Sequence, residues 1–296
     1  MFNFFKVIFS PIIAVLDFIT KYFKTVVFLT IIYFVFYGTG NKEGSQASNA
    51  NANLEKISLY GPIMDVSKVL ERIEKAKVNK NIKGVLFIVN SPGGSVSPSV
   101  ELAYAIKELK AIKPVVVYAS GTIASGSYYA SIWADKIIAN PGSMVGSIGV
   151  IMQGINAKEL MSKIGVSTQT VKAGKFKESG ATDRPWTDFE KEHLQSIIDD
   201  TYNMFITDVA NARKLKIQDH KKYADARVFT ARQAQKVGLV DEVATLTSAQ
   251  NSLIKLAKVN KAVWKKQDKF EKFMDRLIEN AVTKISMQFM NELKAY

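Results

Sequence analysis

Gly84-Val85-Leu86-Phe87-Ile88-Val89-Asn90-Ser91-Pro92-Gly93-Gly94 is the stretch on which the fold turns. A short apolar, β-branched run that stops at Asn-Ser-Pro-Gly-Gly reads as a buried strand ending in a turn. Ser97 then suits a helix cap with Pro98 at the first helical position, and Leu102, Ile106 and Leu109 recur at helical spacing. Pro114 to Tyr118 is the next β-branched run. Ile123 to Trp133 is expected to be helical with Ser125 inside its first turn, and Lys136 to Ala139 and Val145 to Met152 are expected as short strands. Strand and helix alternating in units of about thirty residues predict an α/β fold of parallel βαβ construction.

Composition bounds what surrounds this core. At 296 residues and 47% apolar content the chain has ample material for one large domain or two small ones. The absence of cysteine removes disulfides, thiolate catalysis and cysteine-based zinc sites. The net charge of +13 is concentrated at the ends: residues 1–38 hold three Lys and one Asp, and residues 255–296 hold nine Lys, one Arg and five acids. Both stretches are also strongly apolar, a pairing that points to a membrane surface before nucleic acid. No zinc-finger, RNA-recognition or basic-zipper pattern occurs, so no nucleic-acid partner is expected.

Residues 1–38 read as a membrane anchor. Thr25 to Tyr37 is uninterrupted but rises only about 20 Å as a helix, short of the ~30 Å hydrocarbon core. Extension back to Phe18, with Lys21 and Lys24 snorkelling, supplies the missing turns. A cleaved signal peptide and a buried core helix are the alternatives; no small-x-small site follows Tyr37 directly, although Ala47 to Ala52 leaves room for cleavage. Lys6, Lys21 and Lys24 precede the span, so the N-terminus is expected in the cytoplasm and the rest on the exported side of the membrane. Residues 39–53 then read as a flexible linker.

Leu54 opens the alternating region, taken as a domain over 54–245. Within it Thr187-Asp188-Phe189-Glu190 is a capping box for a helix running to about Arg213, and Thr230-Ala231-Arg232-Gln233 opens another. Residues 246–296 form a C-terminal extension. From Lys269 on, Phe270, Phe273, Leu277, Ile278, Ala281, Ile285, Phe289 and Leu293 recur at three- and four-residue steps, predicting an amphipathic helix that packs on its own domain, on a sister subunit or on lipid.

The chemistry centres on Gly121-Thr122-Ile123-Ala124-Ser125-Gly126-Ser127-Tyr128-Tyr129. Ser125 at a helix start is either a cap or a nucleophile aided by unpaired amides. Gly93 and Gly94 are either an ordinary turn or amide donors to an oxyanion, since glycine lets the backbone approach a substrate. A serine hydroxyl needs an adjacent base. The two histidines, His193 and His220, sit in strongly polar helical surroundings, which disfavours a Ser-His-Asp triad. A lysine can serve if desolvation brings its pKa from ~10.4 toward ~7–8, about 4 kcal/mol of destabilised ammonium. Lys172, Lys175 and Lys177 are candidates that charge reasoning does not separate.

Asn90 to Gly94, Ala124-Ser125-Gly126 with Tyr128-Tyr129, Ala134 to Ile137, Val145 to Val150 and Lys172-Ala173-Gly174 with Lys177 occur in the order found in the signal peptide peptidase A family, bacterial Ser-Lys peptidases, which the chain resembles over about residues 54–245. The resemblance implies Ser125 as nucleophile, Lys177 as general base, Ser147 as a serine that helps hold the lysine, and Gly94 and the Gly126 amide as oxyanion donors, with Gly93 close by. It further implies a Clp/crotonase-like spiral of βαβ units and a homo-oligomeric ring whose active site is shared between subunits. Catalysis without cofactor or metal and signal peptides as substrates are implied too. Ser127 departs from the family's glycine; a hydroxyl beside the nucleophile bears on substrate fit but leaves the dyad intact. A Clp-like Ser-His-Asp peptidase and a non-catalytic membrane scaffold of the same fold are the competing readings.

Overall fold

The computed structural model describes residues 17–18, 20–30, 32–33, 49 and 51–266. The chain divides into two compact units, and the larger includes residues 52–265, which carry the sheet. In the smaller, residues 20–30 are helical and exposed. Among the described residues no helix is long and apolar enough to cross a membrane. The expected span from Phe18 to Tyr37 lies partly outside the described residues, and the amphipathic pattern from Lys269 lies wholly outside them.

The larger unit runs β1 (Leu54–Tyr60), α1 (Ser67–Val78), β2 (Gly84–Ser91), α2 (Val96–Ile112), β3 (Val115–Ala124), α3 (Gly126–Ser131), β4 (Lys136–Ala139) and β5 (Met144–Gly146). There follow α4 (Lys158–Lys163), α5 (Asp188–Arg213), α6 (His220–Tyr223), β6 (Val228–Thr230), α7 (Ala231–Lys236), β7 (Glu242–Val243) and α8 (Leu246–Leu256). Strands β1, β2, β3, β4 and β7 lie side by side and parallel. This is the mixed α/β sheet that the alternating pattern predicts. Strand β2 is apolar almost throughout because helices cover both faces of a parallel sheet.

Alternation along the strands assigns the faces. Val85, Phe87, Val115 and Val117 pack with Leu102, Ile106 and Leu109 of α2 and Val209 of α5 on one side. Leu86, Val116 and Tyr118 pack with Ala249 and Leu253 of α8 on the other. Trp264 bridges to Leu54, and Lys265 pairs with the buried Glu55 at 2.8 Å, so residues 246–265 cover the second face.

Strand β3 forks the sheet. Val116 to Ala119 pair with β4, whereas Thr122 to Ala124 pair with β5, which itself pairs antiparallel with β6. At the fork the Asn90 side chain accepts the Thr122 N–H at 2.9 Å, and the β2–β3 register shifts between Val89 and Ser91. The fork brings the ends of β2, β3 and β5 together at one corner, at the carboxyl edge where parallel sheets bind ligands.

Helix α5 matches its capping-box prediction: Glu190 accepts the Thr187 N–H at 2.8 Å, and the helix ends at Arg213 before the left-handed Lys214. Two expectations are corrected. Helix α2 starts at Val96 with Ser95 as its N-cap, so Pro98 sits in the first turn, where its missing N–H leaves no bond unmade. The strand expected over Val145 to Met152 stops at Gly146, because Ser147 turns the chain out of the sheet at φ 49°.

Candidate active site

Ser125 is the residue between β3 and α3, with φ 52° and ψ −126°. The expectation of a place inside the first helical turn is corrected, because the strand continues through Ile123 and Ala124. Such a backbone costs of order 1–3 kcal/mol and persists where the surroundings fix it. Here the Ser125 N–H donates to the Gly146 carbonyl at 2.8 Å, and the Ser125 carbonyl accepts the Tyr129 N–H at 3.0 Å. The result is a sharp strand-to-helix turn that leaves Ser125 half-buried.

Strand β5 repeats that step. Ala124 pairs with Gly146, and the residue after each is a serine with left-handed φ, Ser125 at 52° and Ser147 at 49°. Ser147 is held by its N–H donating to the Arg227 carbonyl at 2.7 Å.

The end of β2 closes on this turn. A Cβ on Gly126 would fall 2.2 Å from Ser99 Oγ, and one on Gly94 would fall 2.2 Å from the Ile63 carbonyl oxygen. Both positions therefore exclude a side chain. The two neighbouring glycines that follow β2 differ in their amides: the Gly93 N–H donates to Ser91 Oγ at 3.2 Å, whereas the Gly94 N–H is not engaged by the described residues. Gly126 opens α3, so its amide has no intrahelical acceptor.

Ser125, Gly94 and Gly126 line one cavity of about 100 Å³ whose walls are mostly apolar: Val96 and Val100 from α2, Tyr129 from α3, Val150 and Ile151, and Met204 and Phe205 from α5. The Tyr129 hydroxyl donates to Asp208 of α5, and burial together with that carboxylate pushes its pKa up, so it stays protonated. Sequence patterning alone does not reveal this contribution of α5. Its helical pattern was legible, but no local motif ties Met204 or Phe205 to a serine some eighty positions earlier.

Ser127 corrects another expectation. It is fully buried, donates to the Ser91 carbonyl at 2.7 Å and accepts the Ala124 N–H at 2.9 Å. It binds the end of β2 to the end of β3 and is not part of the cavity wall.

Lys177 lies elsewhere. Residues 147–187 leave the sheet corner as an excursion in which α4 buries nothing, and Lys177 stands exposed in a turn closed by its N–H on the Gly174 carbonyl at 3.3 Å. It does not line the cavity. Lys172 is paired with Glu178, and Lys175 lies over the Phe189 ring at 4.7 Å. Neither histidine lines the cavity: His193 packs on Phe176 at 4.5 Å, and His220 Nδ1 contacts the Ile217 carbonyl at 3.0 Å.

The family model described as peptidase family S49 matches residues 107–260, a span holding Ser125, Ser147 and Lys177. The chain belongs to peptidase family S49. This S49 chain is a serine peptidase, and it is 46% identical over 192 residues to the "Putative protease MJ0651" of Methanocaldococcus jannaschii. That alignment covers 65% of this chain and 61% of the archaeal protein, so the chain spans less than two thirds of that relative. It is 32% identical over 250 residues to the "Putative signal peptide peptidase SppA" of Enterococcus faecium, covering 79% of this chain and 73% of that one. The fold is also that of a solved membrane-bound stomatin-specific protease, 1510-N, in a point-mutant form with a substrate peptide. There the TM-score is 0.51 and the identity 15%, over 79% of this chain and 99% of the other.

Proposed function

We propose that this S49 peptidase is a membrane-anchored endopeptidase that degrades residual signal peptides, with Ser125 as nucleophile and Lys177 of a neighbouring copy as general base. The observation that carries the reading is the division of the parts. One cavity gathers a strained serine and two available amides but no base, while Lys177 is exposed on the excursion of the same chain. A second copy supplying Lys177 completes the site. Ile151, Ile155 and Val171 of that excursion are 83%, 77% and 103% exposed, an apolar surface of the kind that subunit contact covers.

In this mechanism the lysine amine takes the Ser125 proton as Oγ attacks the scissile carbonyl, and the Gly94 and Gly126 amides stabilise the oxyanion. The lysine then protonates the leaving amine, and water activated by the same amine releases the acyl group. Gly93 supports the loop through Ser91, and Ser147, beside the nucleophile in register, orients the lysine. No metal or cofactor takes part. The apolar cavity suits the apolar residues of a signal peptide, and the name of the Enterococcus relative points the same way. The basic, apolar residues 1–38 provide the anchor, 39–53 the tether, and the domain from residue 54 faces the exported side, beside lipid. The Clp-like triad lacks a histidine at the cavity.

The decisive test mixes two inactive proteins. Ser125→Ala and Lys177→Ala variants, each expected to be inactive on a fluorogenic peptide ester, regain activity when co-assembled, because one shared site then holds both native residues. Turnover retained by Lys177→Ala alone sinks the dyad, and no recovery in verified mixed oligomers sinks the sharing.

A further inference from the structure

Lys177 sits between two anchored neighbours. Before it, Phe176 packs on Phe189 at 5.6 Å and on His193 at 4.5 Å, both in α5. After it, Glu178 pairs with Lys172 and accepts from Arg184 at 3.3 Å. Arg184 in turn grips Glu190 with both arms, at 2.8 and 2.7 Å. Glu190 is fully buried in the first turn of α5, where it also accepts the Thr187 N–H. A continuous line of alternating charges thus runs from the lysine turn to a buried helix end. Residues 171–177 are otherwise all exposed.

We propose that the relay Lys172–Glu178–Arg184–Glu190 is a positioning device for Lys177, by which the first turn of α5 fixes where the lysine is presented. The proposal rests on the reading of Lys177 as base. Isolated surface ion pairs are worth little, but this line ends on a buried carboxylate gripped bidentately, a geometry that resists displacement. A general base must come within ~2.6–3.2 Å of the hydroxyl proton it takes, and a misplacement of about 1 Å costs on the order of 10²-fold in rate. The same helix carries Met204 and Phe205 into the wall of the Ser125 cavity. Helix α5 therefore touches both a wall of its own chain's cavity and the turn that carries Lys177.

The test uses the full chain in its native assembly. Glu178→Gln and Lys172→Met cut the relay while leaving the buried Arg184–Glu190 grip and the α5 cap in place. Expected is a kcat lower by roughly 10- to 100-fold, with KM within about twofold and melting temperature and oligomer mass unchanged. Lys172→Arg, which keeps the pair, restores most of the rate. Wild-type kcat in Glu178→Gln and Lys172→Met, with Lys177→Ala inactive, overturns the relay and leaves the dyad standing. An active Lys177→Ala overturns the dyad itself. A kcat loss that merely follows a lower melting temperature assigns these residues to stability and also overturns the relay.

Discussion

The sheet corner at Ser125 and the excursion over residues 147–187 carry the two halves of one proposed chemistry in opposite ways. At the corner the ends of β2, β3 and β5 are locked by backbone hydrogen bonds and by side chains that take backbone partners, and glycines pack against carbonyls and hydroxyls with no room for a methyl. The excursion buries little and holds its lysine turn by charges and rings against the first turn of α5. A nucleophile and oxyanion donors must be fixed to fractions of an ångström, which a sheet edge supplies. A base that serves another copy must instead project from the chain that bears it.

The contrast can be broken first at its chemical ends. Ser125→Ala and Lys177→Ala should each lower kcat/KM by at least about 10⁴-fold in the homogeneous assembly, measured with a peptide ester, because members of a catalytic unit fail together.

Next come the amides. Gly126→Ala must displace α2 at Ser99, and Gly94→Ala must displace the loop at Ile63. Each should reduce kcat by roughly 10²–10³-fold while Ser125→Ala, which touches neither contact, keeps the fold. Circular dichroism and melting separate a lost oxyanion donor from a lost structure. Kinetics left untouched by either substitution would show that the corner is less tightly fixed than its contacts imply.

A smaller effect is expected at Ser127. Ser127→Ala removes the buried hydroxyl that accepts the Ala124 N–H and donates to the Ser91 carbonyl, which should destabilise by about 1 kcal/mol and lower the melting temperature by a few degrees. An unchanged melting temperature would mean that the corner does not depend on this clamp.

The smallest concerns acid stability. The Arg184 guanidinium, with the Thr187 N–H, holds the Glu190 carboxyl well below its ordinary value of 4.5. A depressed carboxylate contributes stability that is present above the unfolded value and is lost as pH falls through the folded one. Glu190→Gln should therefore narrow the difference in unfolding midpoint between neutral pH and the region below about pH 4. An identical acid limb in both proteins would remove Glu190 from this linkage.

Much of the scaffold was legible because it is periodic. The β-branched run from Gly84 to Val89 and the spacing of Leu102, Ile106 and Leu109 each reflect local burial, and the capping boxes at Thr187 and Thr230 satisfy helix-end amides within four residues. Ser125 was recognisable as special, but its backbone was not. Residues 123–133 are nearly all buried, so apolar periodicity does not distinguish the last residues of a strand from the first turn of a helix. Ser127 was misread for a related reason, since sequence adjacency to the nucleophile says nothing of which way a helix start turns its side chain.

Sequence by itself therefore determined the α/β class, the order of the elements and the family to which the chain belongs, because these follow from local patterning and ordered motifs. Tertiary structure decided which residues share a place. It forked β3 at Asn90 so that two parallel strands end in left-handed serines side by side, and it distinguished the Gly94 amide from that of Gly93. It brought α5 to the cavity wall and left Lys177 exposed on the excursion. Such outcomes depend on contacts between residues distant in sequence and on the direction of individual backbone groups, neither of which any local pattern encodes.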